Sequence, residues 1–228
     1  NETITIHYAK KNLPFVYRVH GDPNNERLIM SLNRLVHEGL CGKDIIGLIN
    51  KIKNHKLTSN DLDDFLRRYK GTDAEQLIST TILTCMSKAR YSQVNEGHYG
   101  LALDYYTHFT SPIRRYPDLE VHRLIDEYKD IIPAKLSKIE SMLPEICAHS
   151  SYMEREADTA ERETLELKMA EYGLKHIGEE YRGQIIAFNP YGLDIKLDNN
   201  LKGIATNENI NLKDNTDKNR LRLGQKVY

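Results

Sequence analysis

The stretch Thr107-His108-Phe109-Thr110-Ser111-Pro112-Ile113-Arg114-Arg115-Tyr116-Pro117-Asp118-Leu119 restricts the backbone more than any other part of the chain, because two prolines fall close together in it. Ser111 followed by Pro112 predicts a helix start: a serine hydroxyl accepts from an orphan N–H, and proline in the first helical position has no N–H to lose. Pro117 then denies the carbonyl of Ile113 its intrahelical partner and biases Tyr116 away from helical angles. The expectation is a helix from Ser111 with a kink, or a turn followed by a fresh start. Arg114 and Arg115 fall beside free N–H groups at the positive end of the helix dipole, a poor place for cations unless an anion sits there. That conflict points to phosphate. The alternative is an ordinary surface bridge from Arg114 to Asp118 at the i+4 spacing.

Elsewhere the periodicities alternate between helix and strand. Thr3–Tyr8 fits either a short strand or the tail of a helix, whereas Phe15–His20 reads as a strand ended by the turn residues Gly21-Asp22-Pro23-Asn24-Asn25. Leu28, Leu32, Leu35 and Val36 predict a helix over 26–39 that stops at Gly39. Short helices are expected over 44–53 and 60–69, and a longer one over 72–91 with Leu77, Thr81 and Cys85 on one stripe. Leu101–Tyr106 reads as a strand that delivers the chain to Ser111. Beyond the motif, 133–151 predicts a helix broken at Pro144, and a long helix follows to about His176. On that helix Met153, Ala157, Ala160, Thr164, Leu167 and Leu174 form a stripe expected in the core. The tail changes character, with short strands over 181–188, 191–197 and 201–205 separated by Gly and Asn turns, the pattern of a small barrel.

With 228 residues the chain has room for one domain and a smaller second one. Lys and Arg total 32 against 33 Asp and Glu, so no overall basic field advertises nucleic acid. The helix after Ser150 is distinctly acidic, as a solvated helix face is. Cys41, Cys85 and Cys147 are spaced too widely for a zinc ribbon or redox pair, and their odd number argues against a disulfide framework. A cytoplasmic setting without a disulfide-linked partner is expected. No apolar run approaches the roughly 20 residues of a membrane span, so no membrane partner is expected either. Asn1 in place of methionine suggests a chain cut from something longer.

The run His98-Tyr99-Gly100-Leu101-Ala102-Leu103, then Tyr106 through Leu119, then His122-Arg123, closely resembles the signature of the RNase II / RNase R family of exoribonucleases. Leu13-Pro14-Phe15-Val16-Tyr17-Arg18-Val19-His20 and the run from Met153-Glu154-Arg155 to Ala160-Glu161-Arg162 extend the resemblance over nearly the whole chain, and the RNase R branch fits best. The resemblance implies an α+β fold: residues 1–177 as the mostly helical C-terminal part of the catalytic domain, and 178–228 as a truncated OB-fold RNA-binding domain. The tail opens at Gly178-Glu179-Glu180-Tyr181, as the family's does. Leu193 and Thr206 stand where the family tends to carry an aromatic and a histidine, so stacking on bases should be weaker there.

By the same resemblance the activity is processive 3′→5′ hydrolysis of single-stranded RNA to nucleoside 5′-monophosphates, with magnesium activating water. Arg114 is then the catalytic residue, meeting charge that develops on the phosphoryl oxygens. Arg115, Ser111, Thr110, His108 and Glu161 are RNA contacts. The family's metal ligands are aspartates in a fixed spacing. Asp61, Asp63 and Asp64 mimic the end of that set, but His55 occupies the place of its first member, and carboxylates in a helix's first turn need no metal. No metal ligand is assigned, and the chain by itself is expected to be inactive. The alternative is a non-catalytic RNA-binding or scaffold protein that keeps the fold without the metal site.

Overall fold

Leucines at helical spacing bury one face of helix α2 (Asn25–His37), where Leu28, Leu32 and Leu35 are inaccessible. These positions come from a computed structural model that describes residues 1–42, 44–130, 132–211 and 221–228. Asn24 caps α2 by accepting from the N–H of Arg27. The chain leaves it through Gly39 at φ +72°, a left-handed turn that lets Leu40 donate back to the carbonyl of Leu35. Helices α3 (Ile45–Lys53), α4 (Ser59–Arg68) and α5 (Glu75–Leu83) close the layer, and Ile52, Phe65, Ile78 and Ile82 fill its core with the α2 leucines. The helix expected over 72–91 is therefore shorter than its periodicity. Thr81 and Thr84 turn their hydroxyls back on the carbonyls of Leu77 and Thr81, and Arg90–Ser92 is recruited into a strand instead.

A second core forms where β1 (Tyr17–Val19) pairs antiparallel with β2 (Arg90–Ser92). Thr3–Tyr8, open between two readings, is helical within α1 (Glu2–Ala9). Phe15, Val16 and Val19 pack there with Val121 and Leu124 of α6 (Tyr116–Glu127) and with Leu143 and Cys147 of α7 (Pro133–Lys175). The predicted strand over Leu101–Tyr106 is absent. Tyr99–Leu101 makes a 3-10 turn and Ala102 adopts φ +53°, so only isolated bridges join His98 to His20 and to Leu103.

Pro144 does not break α7. Pro144 and Glu140, whose carbonyl it deprives of a partner, both lie on the exposed face, where water can satisfy that carbonyl. The stripe expected in the core is exposed as well: Met153 is 48% accessible, Leu167 59% and Leu174 71%. Only the first half of α7 packs across β2, and the second half runs on past that layer.

The tail follows its alternation. Strands β3 (Gly183–Asn189), β4 (Gly192–Leu197), β5 (Lys202–Thr206) and β6 (Lys226–Val227) form an antiparallel sheet in the order β5-β4-β3-β6. Gly192 is required at its turn, because a Cβ there would sit 2.0 Å from the carbonyl oxygen of Ala205. Leu193 is buried with Ile185 and Leu223, so its side chain serves the core of the sheet. The sheet rests on the helical layer through Leu223 against Leu40 and Leu77, and through Lys226, whose Nζ lies 2.7 Å from Asp73. The result is a mixed α+β fold. No helix among the described residues is long and apolar enough to cross a membrane.

Candidate functional site

The motif reaches its place because the segment before it is tied to β1: the N–H of Arg18 donates to the carbonyl of Tyr106, and Thr107 Oγ1 donates to the carbonyl of Val16 at 2.6 Å. From there the chain makes a turn and not the helix predicted from Ser111. Arg114 and Arg115 donate their N–H groups back to the carbonyl of Ser111, and helix α6 starts afresh at Tyr116 with Pro117 in its first turn. No side chain caps α6, and the serine cap predicted at Ser111 does not form; a carboxylate inside the helix holds the turn before it. Asp118, fully buried, accepts from the N–H of Ser111 at 2.8 Å and from Nη2 of Arg115 at 2.7 Å. A carboxylate carries a full charge to orphan donors and to a guanidinium at once, which a hydroxyl cannot do.

This arrangement separates the two arginines. Arg115 pairs with Asp118, and its Nε–H is buried without a partner. Arg114, read alternatively as the partner of Asp118, makes no ion pair among the described residues and stands exposed on the turn. Its planar fork is free to take an oxyanion bidentately.

Both arginines line a cleft of about 710 Å³, whose opposite wall is the middle of α7. Tyr116 and Pro117 flank the arginines, Ile146 and Met153 supply apolar surface, and Glu145 and Asp158 bring negative charge. At the rear, Tyr91 lies directly opposite Arg18 in the β1–β2 register, and the Arg18 guanidinium sits 4.6 Å from its ring centroid. Arg18 also bridges to Glu154 of α7 at 2.6 Å, and Ser151 Oγ accepts from the N–H of Tyr91 at 2.8 Å. Burial pushes the Tyr91 phenol up to about 12, and its hydroxyl shares a hydrogen bond with Nδ1 of His108 at 2.9 Å. His108 is held down to about 4, first by burial and then by the positive charges of Arg115 and Arg18. It is a neutral ring at neutral pH.

Of the predicted site residues, the turn brings together Arg114, Arg115, Ser111 and the exposed Thr110, and His108 stands behind them against Tyr91. Glu161 is exposed on α7, beyond the part of the helix that walls the cleft. His122 bonds the carbonyl of Phe109 at 2.9 Å and stacks on that ring, and does not reach Asp118. Asp61, mimic of a metal ligand, is a helix start: it completes a capping box with Thr58 and accepts from Lys51, which together hold its carboxyl near 2. Asp63 pairs with Arg67 at 2.7 Å. Arg18, Tyr91, Ser150 and Glu154 escaped the sequence reading, since only strand register and helix phase bring them to one place.

The family model described as RNB domain matches residues 1–130. Among curated proteins, Ribonuclease R 1 of Lactococcus lactis is 44% identical over 207 residues, covering 90% of this chain and 24% of its own length. Ribonuclease R of Thermotoga maritima is 36% identical over 201 residues, covering 86% of this chain and 27% of its own length. The chain thus spans about a quarter of the curated relatives it matches. Among solved structures, Mycoplasma genitalium RNase R in complex with ribose methylated single-stranded RNA aligns with a TM-score of 0.77 at 24% identity, over 90% of this chain and 32% of that one. Yeast Ssd1, a pseudonuclease, aligns with a TM-score of 0.63 at 20% identity, over 86% of this chain and 24% of that one.

Proposed function

Because the chain belongs to the RNB-domain family, we propose that it forms the phosphate-gripping part of a ribonuclease R-type exoribonuclease, one that hydrolyses single-stranded RNA processively from the 3′ end to nucleoside 5′-monophosphates. The observation that carries this reading is the unpaired guanidinium of Arg114 at the mouth of a cleft, beside an arginine already neutralised by a buried aspartate. In phosphodiester cleavage the protein must meet charge developing on the non-bridging oxygens, and an arginine's planar fork does so bidentately. Arg114 takes that role. Arg115, Ser111 and Thr110 position the backbone beside it, His108 supplies a neutral donor, and Glu161 lies further along the RNA path. The three buried, free cysteines suit a reducing, cytoplasmic setting.

Magnesium, which the family resemblance implies, is not fitted by the residues described here. Asp61 is committed to its cap and to Lys51, Asp63 is committed to Arg67, and no three metal-ligating side chains converge among the described residues. Its ligands are assigned to sequence outside these 228 residues. The alternative of a non-catalytic RNA-binding protein is less favoured, since the likeness to the pseudonuclease, at 0.63, is weaker than the 0.77 to RNase R.

Arg114→Lys, placed in the longer enzyme this reading requires, is expected to lower single-turnover cleavage by about 10²-fold or more while RNA affinity changes little. Lysine keeps the charge and loses the fork. Cleavage at the wild-type rate would remove Arg114 from the chemistry.

A further inference from the structure

The face that α7 turns to the cleft is acidic and apolar, and it is long. Glu145, Ile146, His149, Met153, Ala157 and Asp158 share it. At about 1.5 Å of rise per residue, Glu145 and Asp158 stand roughly 20 Å apart along the axis, so the cleft is a trough running with the helix. Its apolar part is open to solvent: Met153 is 48% accessible, and so is Tyr116 on the opposite wall.

Charge decides what can fill the trough. Arg115 is offset by Asp118, and Glu154 by Arg18. Glu145 and Asp158 are exposed and form no ion pair among the described residues, which sets two carboxylates against the one guanidinium of Arg114. A strand of RNA laid along α7 would carry a phosphate charge with every nucleotide past those carboxylates. Arg114, at the mouth, can take a phosphate without drawing the strand inside. A second copy of the chain suits the trough no better, because a two-fold contact would set Glu145 of one copy beside Asp158 of the other. A lysine or arginine set among apolar side chains matches both the charge and the open apolar surface. Further polypeptide is required at this place by the ribonuclease reading. The chain spans about a quarter of the curated relatives it matches, and no three metal-ligating side chains converge among the described residues, so the rest of the enzyme has to approach Arg114.

Resting on that reading, we propose that the cleft is a docking trough for another part of the same polypeptide: an elongated segment lies along α7, with lysine or arginine toward Glu145 and Asp158 and apolar side chains on Ile146 and Met153. RNA then meets Arg114 at the mouth, and protein fills the space behind it.

Thiol labelling tests this without needing turnover, because Cys41, Cys85 and Cys147 are all buried and leave an introduced cysteine as the reactive one. Met153→Cys is made in the 228-residue chain and in the longer enzyme, and its reaction with a maleimide is timed in each. Labelling is expected to be about 10-fold slower or more in the longer enzyme, where the segment has to leave before the reagent enters. Adding Glu145→Lys and Asp158→Lys there should return it toward the rate in the 228-residue chain. The same pair should leave the melting of the 228-residue chain unchanged, since neither carboxylate is paired in it. Equal labelling in the two proteins would overturn the proposal. So would protection of the 228-residue chain by a single-stranded oligoribonucleotide, which would make the trough an RNA groove, or protection that grows with chain concentration, which would give it to a second copy. A longer enzyme that protects Met153→Cys and cleaves no RNA would uphold the docking and remove the ribonuclease reading.

Discussion

Asp118 does more than its place in the first turn of α6 suggests. As a carboxylate near a helix start it is favourable anywhere, but here it is fully buried, receives the N–H of Ser111, and neutralises Arg115. Deleting it leaves a largely buried guanidinium without its counter-charge and the turn without its acceptor. Asp118→Ala is therefore expected to destabilise the fold by about 3 kcal/mol, the usual cost of breaking a buried pair from one side. Urea denaturation checks this, and a loss below about 1 kcal/mol would show that the pair is not holding the turn. The sequence argues for a phosphate beside Arg114 and Arg115 from a helix start at Ser111, and that premise falls because both arginines lie before α6, in the turn closed on Ser111. The sequence placed Asp118 opposite Arg114, at i+4, whereas the turn puts Arg115 there at i+3. That difference leaves Arg114 unpaired, and it depends on where the helix begins, which the two prolines left open.

The segment from Gly97 to Thr110 carries the element-scale lesson. Its part Leu101–Tyr106 reads as a strand in the sequence, yet the geometry comes from turns and from bonds to β1. The segment half-buries two histidines. His98 and His108 are both depressed to about 4, each by burial first and then by neighbouring positive rings or guanidinium groups. In the unfolded chain they would titrate near 6.5. Between those values the unfolded state binds more protons than the folded one, so unfolding free energy falls as pH falls from about 6.5 to 4. Below that window both states are protonated and the effect levels off. His108→Gln should make the decline shallower, measured as denaturation midpoints across that range. A decline of unaltered steepness would mean that His108 is not held neutral. Helix α7 gives the opposite case: its helical character and its end near His176 are legible, but not its continuity through Pro144, and its apolar stripe reads as core because periodicity reports which residues share a face and not what lies against that face.

At the scale of the whole molecule, the cleft exists because three separate parts meet: the motif turn, the β1–β2 ribbon and the middle of α7. Among the described residues no three metal-ligating side chains converge, and in the acidic run Asp61 caps α4 while Asp63 pairs with Arg67. The purified chain is accordingly expected to degrade an end-labelled oligonucleotide no faster than background with magnesium or manganese present. Metal-dependent decay that disappears in the Asp61→Asn, Asp63→Asn, Asp64→Asn triple variant would show that the run binds metal after all. The sequence by itself determined the family, the helical layer and the strands of the tail, since these follow from side-chain periodicity and a long motif. Tertiary structure alone decided that Arg115 and not Arg114 is neutralised, and that Arg18, Tyr91 and His108 gather behind the turn. These are contacts between residues far apart in the chain, fixed by strand register and helix phase, and no local pattern encodes them.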